Sequence, residues 1–406
     1  MAEPLKRRIG PGLLTAYGVG VMVGAGIYVL VGAVAGNAGI WAPVAFLLAG
    51  LIAAPTALSY SEFSTRIPEA AGEAAYVGAG LNSQAMGLLV GLAVVAAGTV
   101  SAGAVLRGGV GYLASSWDVN TTWAVIGLGV ALTAVAVLGA LESLALVALF
   151  TLIEMGGLVL VVWAGFSAPV APDWGAEWSA LALSPVPLWS GIGPGILLGA
   201  VLAFFAFIGF EDIVNMAEEV ENPTSTLPRA ILWALAITTV IYALVAFASV
   251  RAVPIEALSG SKNPLVLVWQ AGRGGSGDFL SAIAVFAALN GVLAQIVMAS
   301  RVLFGLGKRS PFLAIFHHAN PRFGTPILGT LLIGAAVIIA AMTVQLITLA
   351  EVTSSILLSV FVLVNLALIL QKRRAPDAPF RVPMVVPVVG FVLSLAALTV
   401  ALRGIL

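Results

Sequence analysis

The sequence predicts an all-α protein that crosses a lipid bilayer many times. Of its 406 residues, 61% are hydrophobic and only 9% are charged, and the mean hydropathy is +1.11. A soluble domain carries about 25% charged residues, so this chain cannot cover itself with a surface that suits water. Long apolar runs follow one another, and glycine interrupts two of them at mid-span. We therefore expect a bundle of transmembrane helices, two of them discontinuous.

A helix needs about 20 apolar residues to cross the hydrocarbon layer. Eleven runs come near or exceed that length, and proline-rich or charged segments separate them. They are predicted at residues 12–36, 41–63, 82–113, 122–140, 143–166, 190–217, 229–250, 279–306, 326–343, 346–370 and 385–405. The longest linkers, 170–189 and 251–278, are expected to be surface loops, so the sequence predicts one transmembrane domain over 1–406.

The basic residues predict which side of the membrane each loop faces. With the N-terminus inside, the inner segments hold twelve Lys and Arg residues and the outer segments hold four. Cytoplasmic loops of membrane proteins carry this excess, so we expect a multi-pass plasma-membrane protein with a cytoplasmic N-terminus. The first apolar run is too long for a cleaved signal peptide, so we expect it to be retained.

Composition argues against several classes of function. A net charge of 0 offers no basic surface to nucleic acid. Cysteine is absent, which excludes disulfides and thiol chemistry. His317 and His318 are adjacent in a polar loop, as exposed residues often are, so no metal or other cofactor is expected. An intramembrane enzyme needs a catalytic cluster within its spans, and no predicted span contains a histidine; we expect no enzyme.

The first span contains six glycines within residues 16–36. Irregular backbone at membrane depth is tolerated only where it lines a cavity or is buried in protein. A break at Gly24, Ala25 and Gly26 would free amide N–H groups at the start of the outer half-helix, where the helix dipole is positive. Those groups suit an anion such as a carboxylate. The alternative is that Gly20 and Gly24 form a face that only packs against another helix.

The sixth span contains a similar interruption. In "LAFFAFIGFEDIVNMAEEV", residues 202–220, Gly209 is followed within three residues by Glu211 and Asp212. A break at 207–209 would leave carbonyl groups free at the end of the outer half-helix. Those carbonyls suit a cation such as an ammonium group. A cluster of donors beside a cluster of acceptors would bind both ends of a zwitterion.

The two interruptions occupy matching places in two halves of the chain, each of five spans. The first half is 12–166 and the second is 190–371, and each interruption lies in the first span of its half. Because five is odd, the two halves begin on opposite sides of the membrane. This is the arrangement of an inverted repeat with discontinuous helices, which marks the binding site of a transporter.

Three stretches of the chain resemble the amino acid–polyamine–organocation (APC) family of secondary transporters. They are "VGAGIY" at 23–28, "PTALSYSEFSTRIPEAAGEAAYV" at 55–77 and "FFAFIGFEDIVNMAEEVENPTSTLPRAI" at 204–231. The resemblance implies a LeuT-type fold of 5+5 inverted repeats, alternating access, and an amino acid or amine as substrate. Family members usually have twelve helices, whereas here a single helix, 385–405, follows the second repeat.

The resemblance also implies roles for the residues at the two breaks. The substrate carboxylate would be held at the first break, by Gly24, Ala25, Gly26 and Ile27. The substrate amino group would be held at the second break, by Ala206, Phe207, Ile208 and Gly209. Phe204 or Phe207 would close over the substrate as a gate.

Glu154 lies near the centre of the fifth span. A charge at that depth costs about 2.5–3.5 kcal/mol on insertion scales, so an ionisable residue there points to function. Three interpretations stay open: coupling to protons, pairing with a cation such as sodium, or a protonated structural carboxyl. Several proton-coupled members of the APC family carry lysine at this position, so the resemblance does not choose among them.

Other polar residues within the spans have two interpretations each. Glu211 either caps the inner half of the sixth helix or acts in gating. Asn290 either lines the pocket or bonds a neighbouring helix. Glu62 either stabilises the end of the second helix or contacts an inner gate. Arg107 is expected to extend toward the membrane interface.

The function that the sequence predicts is secondary transport of amino acids, by proton symport or by exchange. The partners are then an amino acid, protons as the coupling ion, and the lipid bilayer. One alternative is an antiporter of polyamines or other cationic amines. Another is an amino acid sensor that binds ligand on the same fold without moving it. The sequence does not predict an oligomeric state.

Overall fold

The computed structural model describes residues 9–69, 72–138, 144–176, 193–217, 220–320 and 322–405. Within these ranges the fold is helical, and the sole β pairing is an isolated bridge between Ile9 and Val220. The α-helices are α1 (Pro11–Ala38), α2 (Ala42–Arg66), α3 (Gly72–Leu81), α4 (Gln84–Ser116), α5 (Thr121–Leu138), α6 (Leu144–Ser167), α7 (Gly193–Phe204), α8 (Pro223–Ala252), α9 (Ile255–Gly260), α10 (Pro264–Arg273), α11 (Asp278–Arg309), α12 (Ile327–Thr343), α13 (Leu346–Arg374) and α14 (Val385–Ile405).

The length and hydropathy of the helices are those of a multi-pass membrane protein. In the described ranges nine segments are long and apolar enough to cross a bilayer, and 11–24 and 327–343 are shorter apolar helices. Two facts reduce eleven predicted spans to nine. Residues 26–66, which hold the second half of α1 and all of α2, form one continuous segment, and 327–343 is too short to be counted. Each of the eleven predicted spans overlaps a helix of the structure, and the exact number of crossings stays a prediction.

Three short helices were not expected from hydropathy. α3 follows α2, while α9 and α10 lie within 251–278, which was predicted to be a loop. These helices have only 6 to 10 residues each. A scan for membrane-spanning runs does not detect elements that short, because it averages over about 20 residues.

The backbone of α1 departs from helical geometry at one residue. Gly24 has φ −5° and ψ −159°, and helical geometry resumes beyond it. The first half, 11–24, and the second half, 26–38, are therefore separate rods that meet at Gly24. A helix interrupted in this way leaves N–H and C=O groups at the junction without partners in their own helix.

The sixth predicted span changes conformation in the same way. α7 ends at Phe204, a 3₁₀ turn covers Phe205–Phe207, and Ile208 is extended. Gly209 has φ +126°, a backbone conformation that favours glycine. Beyond it, Glu211–Met216 is a 3₁₀ helix, where the sequence predicted a second α-helical half.

α1 lies at the centre of the bundle. It contacts α6, α7, α8 and α11, while α4 packs along α11 and α2 packs along α8. α13 packs against α14 and α4. The interrupted helix therefore has helical neighbours on several sides, which is the setting in which irregular backbone at membrane depth is tolerated.

A buried ion pair ties α2 to α13. The carboxylate of Glu62 lies 2.6 Å from an Nη atom of Arg66 and 2.7 Å from Nζ of Lys372. The backbone N–H of Val382, which precedes α14, donates to the same carboxylate at 2.9 Å. Glu62 therefore joins the end of α2 to α13 and to the segment before α14 in this structure, and a contact with an inner gate stays a prediction. We call the end of the molecule that carries Arg66 and Lys372 the basic end.

Candidate functional site

The two interrupted segments pack directly against each other. A Cβ atom on Gly26 would lie 3.0 Å from Cα of Ala206, and a Cβ atom on Gly209 would lie 3.1 Å from the backbone nitrogen of Met22. Contacts this short mean that the neighbouring backbone must shift by a few tenths of an ångström to admit a side chain. Glycine therefore suits Gly26 and Gly209 at this close approach, and Gly209 also has a φ of +126° that side chains rarely adopt.

A tyrosine of α8 connects the two breaks. The hydroxyl of Tyr242 donates to the Met22 carbonyl at 2.6 Å and lies 2.9 Å from the Ala206 carbonyl. Tyr242 is fully buried. One hydroxyl proton thus serves two carbonyl oxygens that have lost their helical partners.

Between the breaks lies a small cavity, which we call the central cavity. Its volume is about 20 Å³, enough for about one water molecule. It is lined by Val21, Met22, Gly24, Gly26, Ser101, Val105, Phe205, Ile208, Gly291 and Gln295. The lining combines apolar side chains with the polar groups of Ser101 and Gln295, as small-molecule sites do.

The residues predicted for the site lie at or beside this cavity to different extents. Gly24, Gly26 and Ile208 line it. Ile27 is buried one residue further along α1. Ala25 lies beside Gly24, and its side chain is outside the described part of the structure. These positions agree with the expected site geometry, and the contacts with a substrate stay a prediction.

The aromatic residues at the second break point in different directions. Phe205 lines the central cavity. Phe204 packs against Phe361, with ring centroids 5.7 Å apart, and Phe207 packs against Tyr242 at 5.2 Å. In this conformation Phe205 therefore faces the cavity, and the gate role expected of Phe204 or Phe207 stays a prediction.

Glu154 lies on α6 beside α11. It is 1% exposed, and Asn290 donates to its Oε1 from 3.4 Å. Its Oε2 atom has no hydrogen-bond partner among the described residues. Tyr28, in the second half of α1, donates to the Glu154 backbone carbonyl at 2.8 Å. Asn290 thus bonds a neighbouring helix in this structure, and its place in the substrate pocket stays a prediction.

Two further carboxyl groups contact the second break or the cavity lining. Oε2 of Glu211 accepts a hydrogen bond from the Gly209 N–H at 3.0 Å. Oδ2 of Asp212 accepts one from Nε2 of Gln295, also at 3.0 Å. Both acids are at most 3% exposed. Glu211 therefore bonds the backbone at the second break, and the choice between capping and gating stays a prediction.

Four packed rings lie beside the second break. The ring of Tyr60 lies 6.1 Å from Tyr76, 5.8 Å from Phe210 and 5.6 Å from Phe361. Phe210 follows the second break directly, and Tyr76 belongs to α3, which follows Arg66. The four rings therefore pack α2, α3, α13 and the segment after the second break against one another.

A larger cleft of about 380 Å³ lies at the opposite end of the molecule, away from the breaks. Val29, Arg107, Lys262 and Leu346 are among its lining residues. Arg107 donates to the Ala341 carbonyl at 2.7 Å, so it bonds a neighbouring helix end. Within the described ranges no group of three or more acidic or histidine side chains is arranged to hold a metal ion.

Several residues of the site were not identified from the sequence. Tyr242, Phe205 and Ser101 carried no distinguishing signal, because aromatic and hydroxyl residues are common in membrane helices. Gln295 did carry one. It is an amide within an apolar helix, as Asn290 is, and the same rule about polar groups at depth applies to it.

The comparison with known proteins covers almost the whole chain. A family model described as amino acid permease matches residues 13–403. The branched-chain amino acid permease BcaP of Bacillus subtilis is 27% identical over 96% of this chain and 86% of its own length. The methylthioribose transporter of the same organism is also 27% identical, over 96% and 87%.

Two further similarities extend the comparison. Human cationic amino acid transporter 4 is 29% identical over 80% of this chain, which spans 54% of that protein. Among solved structures, a substrate-bound, outward-open Na⁺-coupled sialic acid symporter superposes with a TM-score of 0.61 at 13% identity, covering 98% of this chain and 90% of that one. At that identity the likeness shows the fold alone.

Proposed function

The chain belongs to the amino acid permease family, and from that premise we propose that it carries amino acids across the plasma membrane by alternating access. It is a transporter and not an enzyme, as the family and its relatives are. The relatives that are named as amino acid permeases and transporters support an amino acid as the substrate.

The observation that carries the proposal is the contact between the two breaks. The second half of α1 begins there and directs its free N–H groups and positive dipole toward the cavity, which suits the substrate carboxylate. α7 ends there, and its last carbonyls suit the ammonium group. The Ala206 carbonyl in the following 3₁₀ turn lies beside the Tyr242 hydroxyl, and the Phe205 carbonyl accepts from the Ile208 N–H at 3.2 Å.

The cavity lining supports a neutral, apolar substrate side chain. Val21, Val105, Phe205 and Ile208 surround the space between the breaks. Burial of an apolar side chain among such residues contributes about 25 cal/mol for each Å² removed from water. At about 20 Å³ the cavity is too small for an amino acid, so on this proposal the two breaks move apart when substrate enters.

Coupling to protons completes the proposal. Glu154, Glu211 and Asp212 are buried acids in the interior of the bundle, and ionisable groups at membrane depth serve proton relays in many transporters. Each of them is a candidate for the group that carries the coupling proton. We also propose that the two repeats, 12–166 and 190–371, have opposite orientations and that the basic end with the N-terminus is cytoplasmic.

Counterflow into liposomes tests the proposal. Purified protein is reconstituted into vesicles loaded with one unlabelled amino acid, and entry of the same radiolabelled amino acid is followed at two pH values. We expect counterflow with leucine, isoleucine or valine. Absence of counterflow for every amino acid and polyamine in the panel, with a folded protein, would contradict the proposal.

Transport of cationic amines is the second candidate. Asp212 and Glu211 lie just beyond the cavity lining and could attract a cationic side chain. Human cationic amino acid transporter 4 is among the relatives. Counterflow with lysine or putrescine and none with leucine would favour this candidate, while ligand binding without any flux would indicate a sensor.

A further inference from the structure

Three buried carboxyl groups lie together between the central cavity and the basic end. Glu73 comes from α3, and Glu211 and Asp212 come from the 3₁₀ segment after the second break. Each is at most 3% exposed. Gly72, which precedes Glu73, packs against this 3₁₀ segment, because a Cβ atom on it would lie 3.0 Å from Oδ1 of Asn215 and 3.1 Å from Cγ2 of Val214. Burial first, and then the charge of Asp212, raise the pKa of Glu73. α3 and the interrupted segment therefore bring their acids within electrostatic range of each other.

No basic side chain balances these acids in the part of the chain that the structure describes. The ion pairs there join Arg66 and Lys372 to Glu62, and Arg309 to Glu69. Arg374 of α13 bonds instead to the Gly80 carbonyl near the end of α3. Buried carboxylates without a cation are strongly unfavourable, so this group must hold protons or bind a cation.

Buried polar atoms surround the same acids. Oε1 of Gln295 is buried and has no hydrogen-bond partner among the described residues. The hydroxyl of Tyr60 and the carboxyl of Glu73 are buried beside each other, so each is the other's nearest polar partner. Tyr60 is fully buried and faces both Glu73 and Glu211. The other titratable groups nearby are Tyr76 and, facing it, Glu69. Buried polar atoms are nearly always partnered, so the Gln295 oxygen leaves room for a further donor.

Hydrogen bonds connect the acids to the transport site. Gln295 lines the central cavity and donates to Asp212 at 3.0 Å. Gly209, at the second break, donates to Glu211 at 3.0 Å. A hydrogen bond to a carboxylate is about twice as strong as one to a neutral acceptor. Protonation of these acids therefore weakens the bonds that hold Gln295 and the second break in place.

We propose that Glu73, Glu211 and Asp212 form a proton-binding site that faces the basic end. Gln295 transmits the charge state of this site to the central cavity. This inference rests on the proposed function, since it assigns the site of the coupling proton. Glu154 lies apart from this group, with Asn290 and Tyr28 as its neighbours.

The charge balance of the proposed site is simple. One proton enters from the basic end, binds a carboxylate of the group and neutralises one negative charge. It leaves by the reverse step, and no covalent bond of the protein changes. Burial and the charge of Asp212 raise the pKa of Glu73 to about 8, so proton binding and release are both accessible near neutral pH.

Proton movement and substrate exchange are measured separately in the test. Liposomes containing the protein and a trapped pH-sensitive dye receive L-leucine, or the best substrate of the counterflow panel, and the pH change is followed. Glu73→Gln and Asp212→Asn are compared with the wild-type protein. Glu69→Gln is the matched control, because Glu69 is an exposed acid on the same side that pairs with Arg309.

The expected result separates the two functions of the protein. Glu73→Gln and Asp212→Asn should keep counterflow but lose substrate-driven proton movement, and net uptake should lose its pH dependence. Glu69→Gln should behave as the wild type. Should one of the two variants not fold, the other carries the test.

Three outcomes would overturn the inference. The first is unchanged proton movement in both variants. The second is loss of proton movement in Glu154→Gln alone. The third is a wild-type protein that exchanges leucine but moves no protons. A wild-type protein that loses leucine exchange when choline replaces Na⁺ in the buffer, and moves no protons, belongs to this outcome. In each case positive counterflow would still support the proposed function.

Discussion

The hydroxyl of Tyr242 lies 2.6 Å from the Met22 carbonyl and 2.9 Å from the Ala206 carbonyl, so one side chain of α8 joins the two interrupted segments. Tyr242 and Met22 are 220 residues apart in the chain. The contact makes the geometry of one break depend on the other, because a shift of either carbonyl stretches a bond to the same hydroxyl.

Replacing Tyr242 by phenylalanine should destabilise the protein. The change leaves the Met22 and Ala206 carbonyls buried with one partner fewer, and an unpartnered buried polar group costs about 1–3 kcal/mol. Thermal unfolding in detergent measures the loss. Tyr76→Phe is the matched control, since its hydroxyl is buried without a partner among the described residues; equal loss of stability in both variants would contradict the role of Tyr242.

Replacing Gly26 by valine should abolish substrate binding. A Cβ atom there would lie 3.0 Å from Cα of Ala206, and a β-branched side chain cannot rotate its bulk away from that backbone. We expect no thermal stabilisation by substrate and no counterflow. Gly305→Ala in α11 is the control, because its added Cβ meets nothing within 4 Å. Normal affinity in a folded Gly26→Val protein would contradict the assignment of this break to the substrate.

Replacing Glu154 by glutamine should spare binding. The amide keeps an oxygen for Asn290, which donates to Oε1 at 3.4 Å in the wild type, and it adds no charge at membrane depth. Counterflow should therefore stay close to the wild-type rate. Glu154→Ala, which leaves Asn290 without this partner, should lose about 1–3 kcal/mol of stability. Loss of counterflow in Glu154→Gln would show that an ionised carboxylate is needed for binding.

The buried pair of Glu62 and Lys372 should be strongly coupled. Glu62→Gln leaves Lys372, which is 3% exposed, without its counter-charge, and breaking a buried pair in this way costs about 3–5 kcal/mol. The double variant Glu62→Gln with Lys372→Met should be more stable than the single one. Additive losses in thermal unfolding of the single and double variants would rule out the coupling.

Stability should fall as the pH rises through the range set by Glu73. Burial raises the pKa of this carboxyl from 4.5 to about 8, so the folded protein holds a proton there that the unfolded chain releases above about pH 4.5. The folded state binds more protons between these values, and stability therefore decreases with rising pH. Glu73→Gln should remove this slope from a series of melting temperatures, and a slope that persists unchanged would contradict the shift.

The sequence contains clear signals for some parts of the site and none for others. Glycine at mid-span pointed to the neighbourhoods of Gly24 and Gly209, because an irregular backbone there needs residues without a side chain. The choice among Phe204, Phe205 and Phe207 was not accessible, since it depends on where α-helical geometry changes to 3₁₀. Contacts between distant residues, such as Tyr242 with Met22, leave no periodic pattern in a chain without an alignment.

The central claim is that the backbone at the two breaks holds the two ends of the substrate. A structure of the protein with a bound amino acid, taken from the counterflow panel, tests it most directly. We predict the carboxylate within hydrogen-bond distance of the N–H groups at Gly26 and Ile27, and the ammonium group against the carbonyls at the end of α7. An amino acid seated in the cleft beside Arg107, with the two breaks empty, would contradict the account.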